Sequence, residues 1–456
     1  MSEIHSFKKD AERVAGDLQH RKIINFNISK YDAAVKVGQA RYANLDLAKQ
    51  KASEIKNKVI ESLPYLLEEF ESNAIKNGAE VYWAQDCQDL IAQLSEILID
   101  QGTKTLVKSK SMVTEEIELN HHLENINIES VETDLGEFIV QVAGEKPYHI
   151  VTPAMHKSKQ DIAELFSQHF GTDVNLSAEE LTDFVRQLLR KKFIHADVGV
   201  TGANFICANE GAVAVTENEG NALLSASYPK LHIVIAGIEK VIPSIDDLSL
   251  MWPLLAAHGT GQQLTVYSNL FFGPKKANEV DGPERMLVFL LDNKRSSIYS
   301  DSITKESLKC IRCGACLNGC PVYKNIGGYT YNTTYSGPIG SVISPYFKDF
   351  SAYNHLSFAS SLCGKCEEVC PVKIPLTKLL LNNRQKAQTN NTFSDKIANY
   401  SLYSIFSSRN NMNIVGGKVK SILASGFQSL FIGNKKNLSP FASKTFNQQW
   451  KKHKKR

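Results

Sequence analysis

Along the first part of the chain, apolar or small side chains recur every three or four residues. Tyr31, Val35, Gly38, Tyr42, Leu45, Ala48, Ala52, Ile55 and Val59 fall on one stripe, the spacing that collects side chains on one face of a helix. Ser29 followed by Asp32 gives it a capping-box-like start. The pattern predicts one long amphipathic helix, packed on its own domain rather than paired as a coiled coil. Leu63–Phe70 continues helically, with Pro64 comfortable in a first turn.

From about residue 78 the texture alternates between strands and helices. Ala79–Ala84, Thr105–Lys108, Ile126–Val131 and His149–Val151 read as strands. Cys87–Ile99, Thr114–Leu123, Leu135–Val142, Ser158–Phe170 and Ala178–Lys192 read as helices. After residue 200, turn residues separate short apolar runs at Phe205–Ala208, Ala212–Thr216, His232–Gly237, Leu264–Ser268 and Met286–Leu291. Strands alternating with helices predict a parallel or mixed sheet covered by helices, with residues 76–297 as one α/β domain. Residues 1–75 form an N-terminal helical segment. Beyond Pro375, helices are expected at Leu376–Gln385, Ile397–Phe406 and Val419–Leu423, before a disordered Lys/Ser/Asn tail.

Composition adds few constraints. The 456 residues are 43% hydrophobic and 22% charged with a net charge of +4, so no global electrostatic case for nucleic acid exists. Positive charge gathers at the end, where Lys451, Lys452, Lys454, Lys455 and Arg456 follow Trp450. A solvated end is the simple reading of such a tail; contact with an anionic membrane surface or an acidic partner is the alternative. The stretch MSEIHSFKKDAERV lacks the features of a signal peptide. No apolar run approaches the ~18–20 residues of a membrane span. A cytoplasmic protein is expected.

The chemistry lies in the cysteines. Seven of the nine fall between Cys310 and Cys370, as Cys310-x2-Cys313-x2-Cys316-x3-Cys320-Pro321 and Cys363-x2-Cys366-x3-Cys370-Pro371. The first run has the spacing of bacterial ferredoxins. Two-residue gaps let one tight loop aim three thiolates at a single cluster, and the cysteine before proline turns toward the other cluster. Cys310, Cys313, Cys316 and Cys370 are therefore expected to hold one [4Fe-4S] cluster, and Cys320, Cys363 and Cys366 a second. The second set is one thiolate short, and aligning the runs puts Ser360 opposite Cys310. A [3Fe-4S] cluster, a fourth ligand from Ser360 or His355, and an open iron site all remain possible at this point. Zinc sites and disulfides fit the 3+1 and 2+1 spacing poorly. Cys87 and Cys207 read as ordinary core residues. The Gly- and Tyr-rich segment Pro321–Ser360 is too long for a turn, so it must pack over a ferredoxin-type region spanning residues 298–385. Residues 386–456 form a C-terminal helical segment with the basic tail.

Several stretches resemble the iron–sulfur protein of bacterial lactate utilisation, the lactate utilisation protein B family. They are Lys108–Met112 with Glu115-Glu116, Glu132–Glu137, His149-Ile150-Val151 with His156, Asp197–Asn204, Glu217–Asn221, Ile311–Cys316 and Gly327–Gly340. The resemblance covers about residues 25–385. It implies an α/β domain similar to the ribose-5-phosphate isomerase and CoA-transferase fold, joined to an α-helical two-cluster ferredoxin-type domain. It also implies an electron-transfer component that works with two sibling proteins in oxidising L-lactate to pyruvate; the alternatives are an α/β domain that itself binds and oxidises lactate or a related hydroxy acid, and one that serves only as an assembly platform. Within the family the missing eighth cysteine is the usual state.

Other positions carry competing readings. Gly202-Ala203-Asn204 and Glu217–Asn221 sit at strand ends where α/β folds bind ligands, with Glu219 and Asn221 as the polar contacts; turn chemistry is the slightly favoured account. Lys108–Met112 can hold an anion on free backbone N–H groups, but helix capping is simpler. His149 and His156 are more often hydrogen-bonded core residues than ligands or proton carriers. The chain has no G-x-G-x-x-G, Walker loop, nucleophile elbow or H-E-x-x-H.

Overall fold

The computed structural model describes residues 2–388, 400, 403–404, 407–413, 416–427 and 439–454. Met1–Gln385 forms one compact unit and Lys386–Arg456 a second, so the α/β strands and both cysteine runs share a unit.

Among the described residues ten strands appear in chain order: β1 Glu80–Ala84, β2 Thr105–Lys108, β3 Glu129–Glu132, β4 Val198–Gly202, β5 Phe205–Cys207, β6 Ala212–Glu217, β7 Leu231–Gly237, β8 Val241–Ile242, β9 Tyr267–Phe271 and β10 Arg285–Leu291. They make a six-stranded sheet in the order β1-β10-β7-β4-β2-β3 and a four-stranded sheet in the order β8-β5-β6-β9. Every pairing in the larger sheet is parallel. Its central strands β7 and β10 are apolar but for His232 and Arg285, as suits strands covered on both faces. On one face Val234, Ala236, Val288 and Leu290 meet Leu66, Leu67 and Phe70. On the other, Ile233, Ile235, Leu287 and Phe289 meet Leu90, Leu94 and Leu98. Gly199 in β4 permits the closest approach, since a Cβ there would lie 1.7 Å from the carbonyl oxygen of Ser225.

The N-terminal segment departs from the single long helix. Four helices appear: α1 Glu3–Gly16, α2 Leu18–Gln39, α3 Leu45–Glu61 and α4 Leu63–Lys76. The apolar stripe runs through the break at residues 40–44 because α2 and α3 both pack against the helix Leu248–Gly259, so its periodicity survives the turn. Asn44 caps α3 by accepting the Leu47 N–H at 3.0 Å. Ser29 caps nothing: its hydroxyl donates to the Phe26 carbonyl inside α2.

Three other expectations shift. His149–Val151 is a bent loop, not a strand, closed by the Tyr148 N–H on the Pro153 carbonyl at 2.9 Å. Thr114–Leu123 is two short helices broken at Glu118, whose φ of 52° ends the first. The strand expected at Leu264–Ser268 forms as β9, a few residues later.

The segment between the cysteine runs does fold over them. The helix Gly337–Phe347 is buried from Gly337 through Pro345. In the second unit, Val419–Leu423 lies in the helix Gly417–Phe427, and Phe446–Lys454 is helical where a disordered tail was expected. Phe446 and Trp450 stack there at 5.8 Å. The helix expected at Ile397–Phe406 lies largely outside the described residues, as do Lys455 and Arg456. Among the described residues no helix is long and apolar enough to cross a membrane.

Candidate functional site

The two cysteine runs repeat one local geometry. Arg312 and Leu362, each just before a CxxC pair's first cysteine, take left-handed φ values of 59° and 54°. Gly314 and Gly364, just after it, take 77° and 81°. This left-handed pair coils the chain tightly enough to point neighbouring side chains inward. The Arg312 N–H reaches the Cys310 sulfur at 3.4 Å. In the second run the Leu362 N–H makes the matching bond to the Ser360 hydroxyl oxygen at 3.1 Å. Ser360 thus takes the place of Cys310 in the loop, as the alignment of the runs anticipated. His355 is engaged with other groups. Its Nδ1 is bonded to the Ala352 carbonyl and its ring rests 5.2 Å from Phe7 of α1.

The last thiol of the second run lies with the first three of the other run. Cys310, Cys313, Cys316 and Cys370 line one small cavity, walled by Ile150, Ile339 and Leu376. The Ile374 N–H donates to the Cys370 sulfur at 3.4 Å. Cys363 lies close enough to Cys320 to raise its thiol, and Cys320 close enough to Cys366 to raise that one. The Tyr323 N–H donates to the Cys320 sulfur at 3.5 Å. Four thiols around one apolar cavity, met by backbone N–H groups, are a donor set that fits an iron–sulfur cluster. Among the described residues no three His, Cys, Asp or Glu side chains converge on a single metal ion. Cluster ligation does not ask for that, because each thiolate takes a different iron. Burial, reinforced by neighbouring thiols, holds Cys313 and Cys316 above the ordinary thiol range, so iron would have to drive their deprotonation. Cys87 and Cys207 stand apart, with burial pushing them up to about 11 and about 12.

Buried charge surrounds the first thiol set. Arg295, wholly buried, grips both Glu116 oxygens at 2.9 Å and Glu239 at 2.5 Å. Tyr335, from the segment between the runs, donates to Glu116 at 2.6 Å, and Arg312 reaches Glu239 at 3.3 Å. Burial acting alone would raise the Glu239 carboxyl; Arg295, Arg312 and Lys240 instead hold it at about 2. Lys56 donates to the Glu239 carbonyl at 2.8 Å. Burial lowers both Lys56 and Lys240 to about 8.

A larger cavity of about 480 Å³ opens beside this set. Its wall takes in Ser109–Val113 after β2, Asp134–Gly136 after β3 and Gly202–Asn204 after β4, and it extends to Glu217–Glu219, Arg312 and Cys313. These are the carboxyl ends of the strands around β2, where the chain leaves in both directions and open α/β sheets leave a crevice. Pocket and turn readings therefore both hold. Asn221 binds the Ala222 N–H at 2.9 Å and Glu219 the Leu135 N–H at 3.0 Å, while both line the cavity. The capping reading of Lys108–Met112 holds as well, since Ser111 accepts the Thr114 N–H at 3.5 Å. Lys108 is consumed by Glu132 at 2.7 Å, and Lys110 by Asp134 at 2.9 Å.

His149 and His156 are both hydrogen-bonded within the fold through one ring nitrogen. His149 Nδ1 accepts the N–H groups of Val151 and Thr152 at 3.1 and 3.2 Å, and burial lowers it to about 4. His156 bonds Glu145 at 2.7 Å and stacks on Tyr148. Sequence reasoning missed Lys56, Lys240 and Arg295. The available signal was a Glu-Lys pair inside the apolar run from Leu231 to Ile242.

Comparison with known proteins bears on all of this. The LUD domain model matches residues 67–291 and the 4Fe-4S dicluster domain model residues 306–374. A lactate utilization protein B of Bacillus licheniformis is 44% identical over 336 residues, 74% of this chain and 70% of its own. One from Bacillus cytotoxicus is 41% identical over 384 residues, 84% of this chain and 80% of its own. A crystal structure of a DUF162 family protein from Deinococcus radiodurans is 12% identical, covering 50% of this chain and 98% of that one at a TM-score of 0.30, a likeness too slight to argue from.

Proposed function

Because the chain belongs to the lactate utilization protein B family, we propose that it is the iron–sulfur electron-transfer component of L-lactate oxidation to pyruvate. The observation that carries this reading is the crossed division of the seven cysteines, with Cys370 of the second run closing the cavity of the first. Cys310, Cys313, Cys316 and Cys370 hold one [4Fe-4S] cluster in this reading. Cys320, Cys363 and Cys366 hold a second, with the Ser360 oxygen at its fourth position. When bound, such clusters supply one-electron redox chemistry. Ile150, Ile339 and Leu376 keep water from the first set. The N–H groups of Arg312 and Ile374 bond its sulfurs, and Lys56, Lys240 and Arg312 offset its negative charge. Two sibling proteins are the expected partners, one of them oxidising lactate and delivering electrons. The basic helix Phe446–Lys454 is a candidate contact with an anionic surface. A fold of the ribose-5-phosphate isomerase and CoA-transferase type is supported by the all-parallel six-stranded sheet.

The test uses cluster-loaded protein under anaerobic conditions. With L-lactate alone its visible absorbance persists, and adding both sibling proteins bleaches it. Bleaching by lactate alone, or none with the siblings present, overturns the carrier reading. A second reading, in which the α/β domain itself engages the hydroxy acid, is favoured by the cavity shared with Arg312 and Cys313. The same cavity counts against a domain that is only an assembly platform.

A further inference from the structure

Lys240 follows β7 across one helical turn, and the fold carries it into the interior. It is 7% exposed and lines the larger cavity. Among the described residues it has no carboxylate within ion-pair distance. A buried ammonium with no direct ion pair is costly; Glu239 and Cys310 offset only part of that cost, and burial still lowers it to about 8. Arg312 lies on the same wall with its side chain 10% exposed. Its Nη2 reaches Glu239 at 3.3 Å, its guanidinium sits 4.3 Å from the Tyr335 ring, and its buried Nη1 has no hydrogen-bond partner.

The cavity's acids do not answer these charges. Asp134 is taken by Lys110 and by the N–H groups of Gly136 and Glu137. Glu217 is taken by the N–H groups of Ala222 and Leu223. Glu219 accepts the Leu135 N–H. Two cations with incomplete direct pairing thus face a cavity whose acids are bonded elsewhere. The remaining wall supplies the hydroxyls of Ser109 and Ser111 and the amide nitrogen of Asn204, whose oxygen already accepts the Thr216 N–H.

We infer that this cavity is a binding site for a small hydroxy acid or its oxo counterpart, with Lys240 and Arg312 taking the carboxylate and the hydroxyl and amide wall the oxygen at C2. This deepens the lactate reading by giving the acid a site on this chain, and it rests on that reading for the choice of acid. The inference concerns binding; electron delivery by a sibling protein is unaffected. About 480 Å³ accommodates a three-carbon acid together with ordered water. Because Cys313 shares the wall, an anion bound there would favour the oxidised state of the neighbouring cluster. Reduction would then weaken binding by the same factor.

The experiment is calorimetry on the cluster-loaded full chain under anaerobic conditions, with L-lactate, pyruvate and ribose 5-phosphate as probes. Saturable binding of one of the acids is expected, weakened roughly tenfold or more by Lys240→Met and largely kept by Lys240→Arg. Lys240→Met removes a buried charge that makes no direct ion pair, while Glu239 keeps Arg295 and Arg312, so little change in melting temperature is expected, which separates lost binding from lost folding. A redox titration of the first cluster should move to lower potential with the bound acid present. Absence of saturable binding by either acid overturns the inference, as does equal affinity in Lys240→Met or binding of the phosphate ester alone. The carrier reading survives each of these outcomes if lactate and the siblings still bleach the clusters. Conversely, acid binding without sibling-dependent bleaching sinks the carrier reading and leaves the site standing.

Discussion

Replacing Arg295 by methionine tests whether the buried charge hub joins the α/β sheet to the cysteine region. The guanidinium enters from the end of β10 and binds Glu116 from the helix after β2 and Glu239 from the turn after β7. Tyr335 and Arg312 attach the cysteine region to the same two carboxylates. The size of the effect follows from Glu239, which folding holds at about 2 against an ordinary value of 4.5. A displacement of that size is worth roughly 3 kcal/mol at neutral pH. Glu239 is almost wholly buried, so solvent screening takes little from that figure. Arg295 is the largest favourable influence on both carboxylates, and removing it leaves two buried acids short of counter-charge. The expected loss is about 3–5 kcal/mol. The sign with pH is also fixed. In the parent, the lowered carboxyl contributes stability that is complete above pH 4.5 and fades only as pH falls toward 2, so this pair adds no slope between pH 5.5 and 8. In Arg295→Met the acids rise above their unfolded values, and stability then falls as pH increases through that window. Anaerobic urea denaturation at pH 5.5 and 8, followed by tryptophan fluorescence, reads both effects. A variant within about 1 kcal/mol of the parent at both pH values refutes the reasoning.

The crossed ligand sets predict that Cys370→Ser removes the signals of the cluster held by Cys310, Cys313 and Cys316, although Cys370 lies in the other run. Cys320→Ser should spare that cluster and abolish the second; EPR with iron and sulfide counting distinguishes these outcomes from a loss confined to each run. Ser360→Cys places a sulfur where the Leu362 N–H already donates, so about eight irons and a second cluster of altered potential are expected. Unchanged EPR and unchanged turnover with the siblings would mean that the serine has no mechanistic role. Ser360→Ala should leave the Leu362 N–H without an acceptor, lower the iron count toward seven if the oxygen ligates, and destabilise the loop by about 1 kcal/mol.

How much of this was legible in the sequence depends on the reach of each interaction. The cysteine geometry is local: a left-handed residue, a cysteine and a glycine recur at one spacing, and Arg312 and Leu362 share a backbone conformation as a result. The central strands were legible for a similar reason, since Leu287–Leu291 alternates between two apolar faces whatever covers them. The break at residues 40–44 was not, because a stripe with period 3.6 looks the same whether one helix or two lie on a common surface. Glu219 and Asn221 were found as residues of a turn, but whether a turn also lines a cavity depends on what stands opposite. Here that is Arg312 and Cys313, about a hundred residues away in sequence.

The functional asymmetry of the two cysteine sets is hidden in the sequence for the same reason. By spacing they are near copies, differing only at Cys310 and Ser360. In the fold the first set is enclosed by Ile150, Ile339 and Leu376 and lies within the influence of Lys49, Lys56, Lys240 and Arg312. The second includes Cys363, which is exposed and whose thiol is lowered by hydrogen bonds from its own loop. Cluster potentials follow net charge, solvent exposure and hydrogen bonding to sulfur, and the two sites differ in all three. Positive charge at the enclosed site stabilises added electrons, so the cluster beside the cavity should be the easier of the two to reduce. An acid bound between Lys240 and Arg312 would oppose that preference, which places the cavity where a bound ligand can control the direction in which electrons settle.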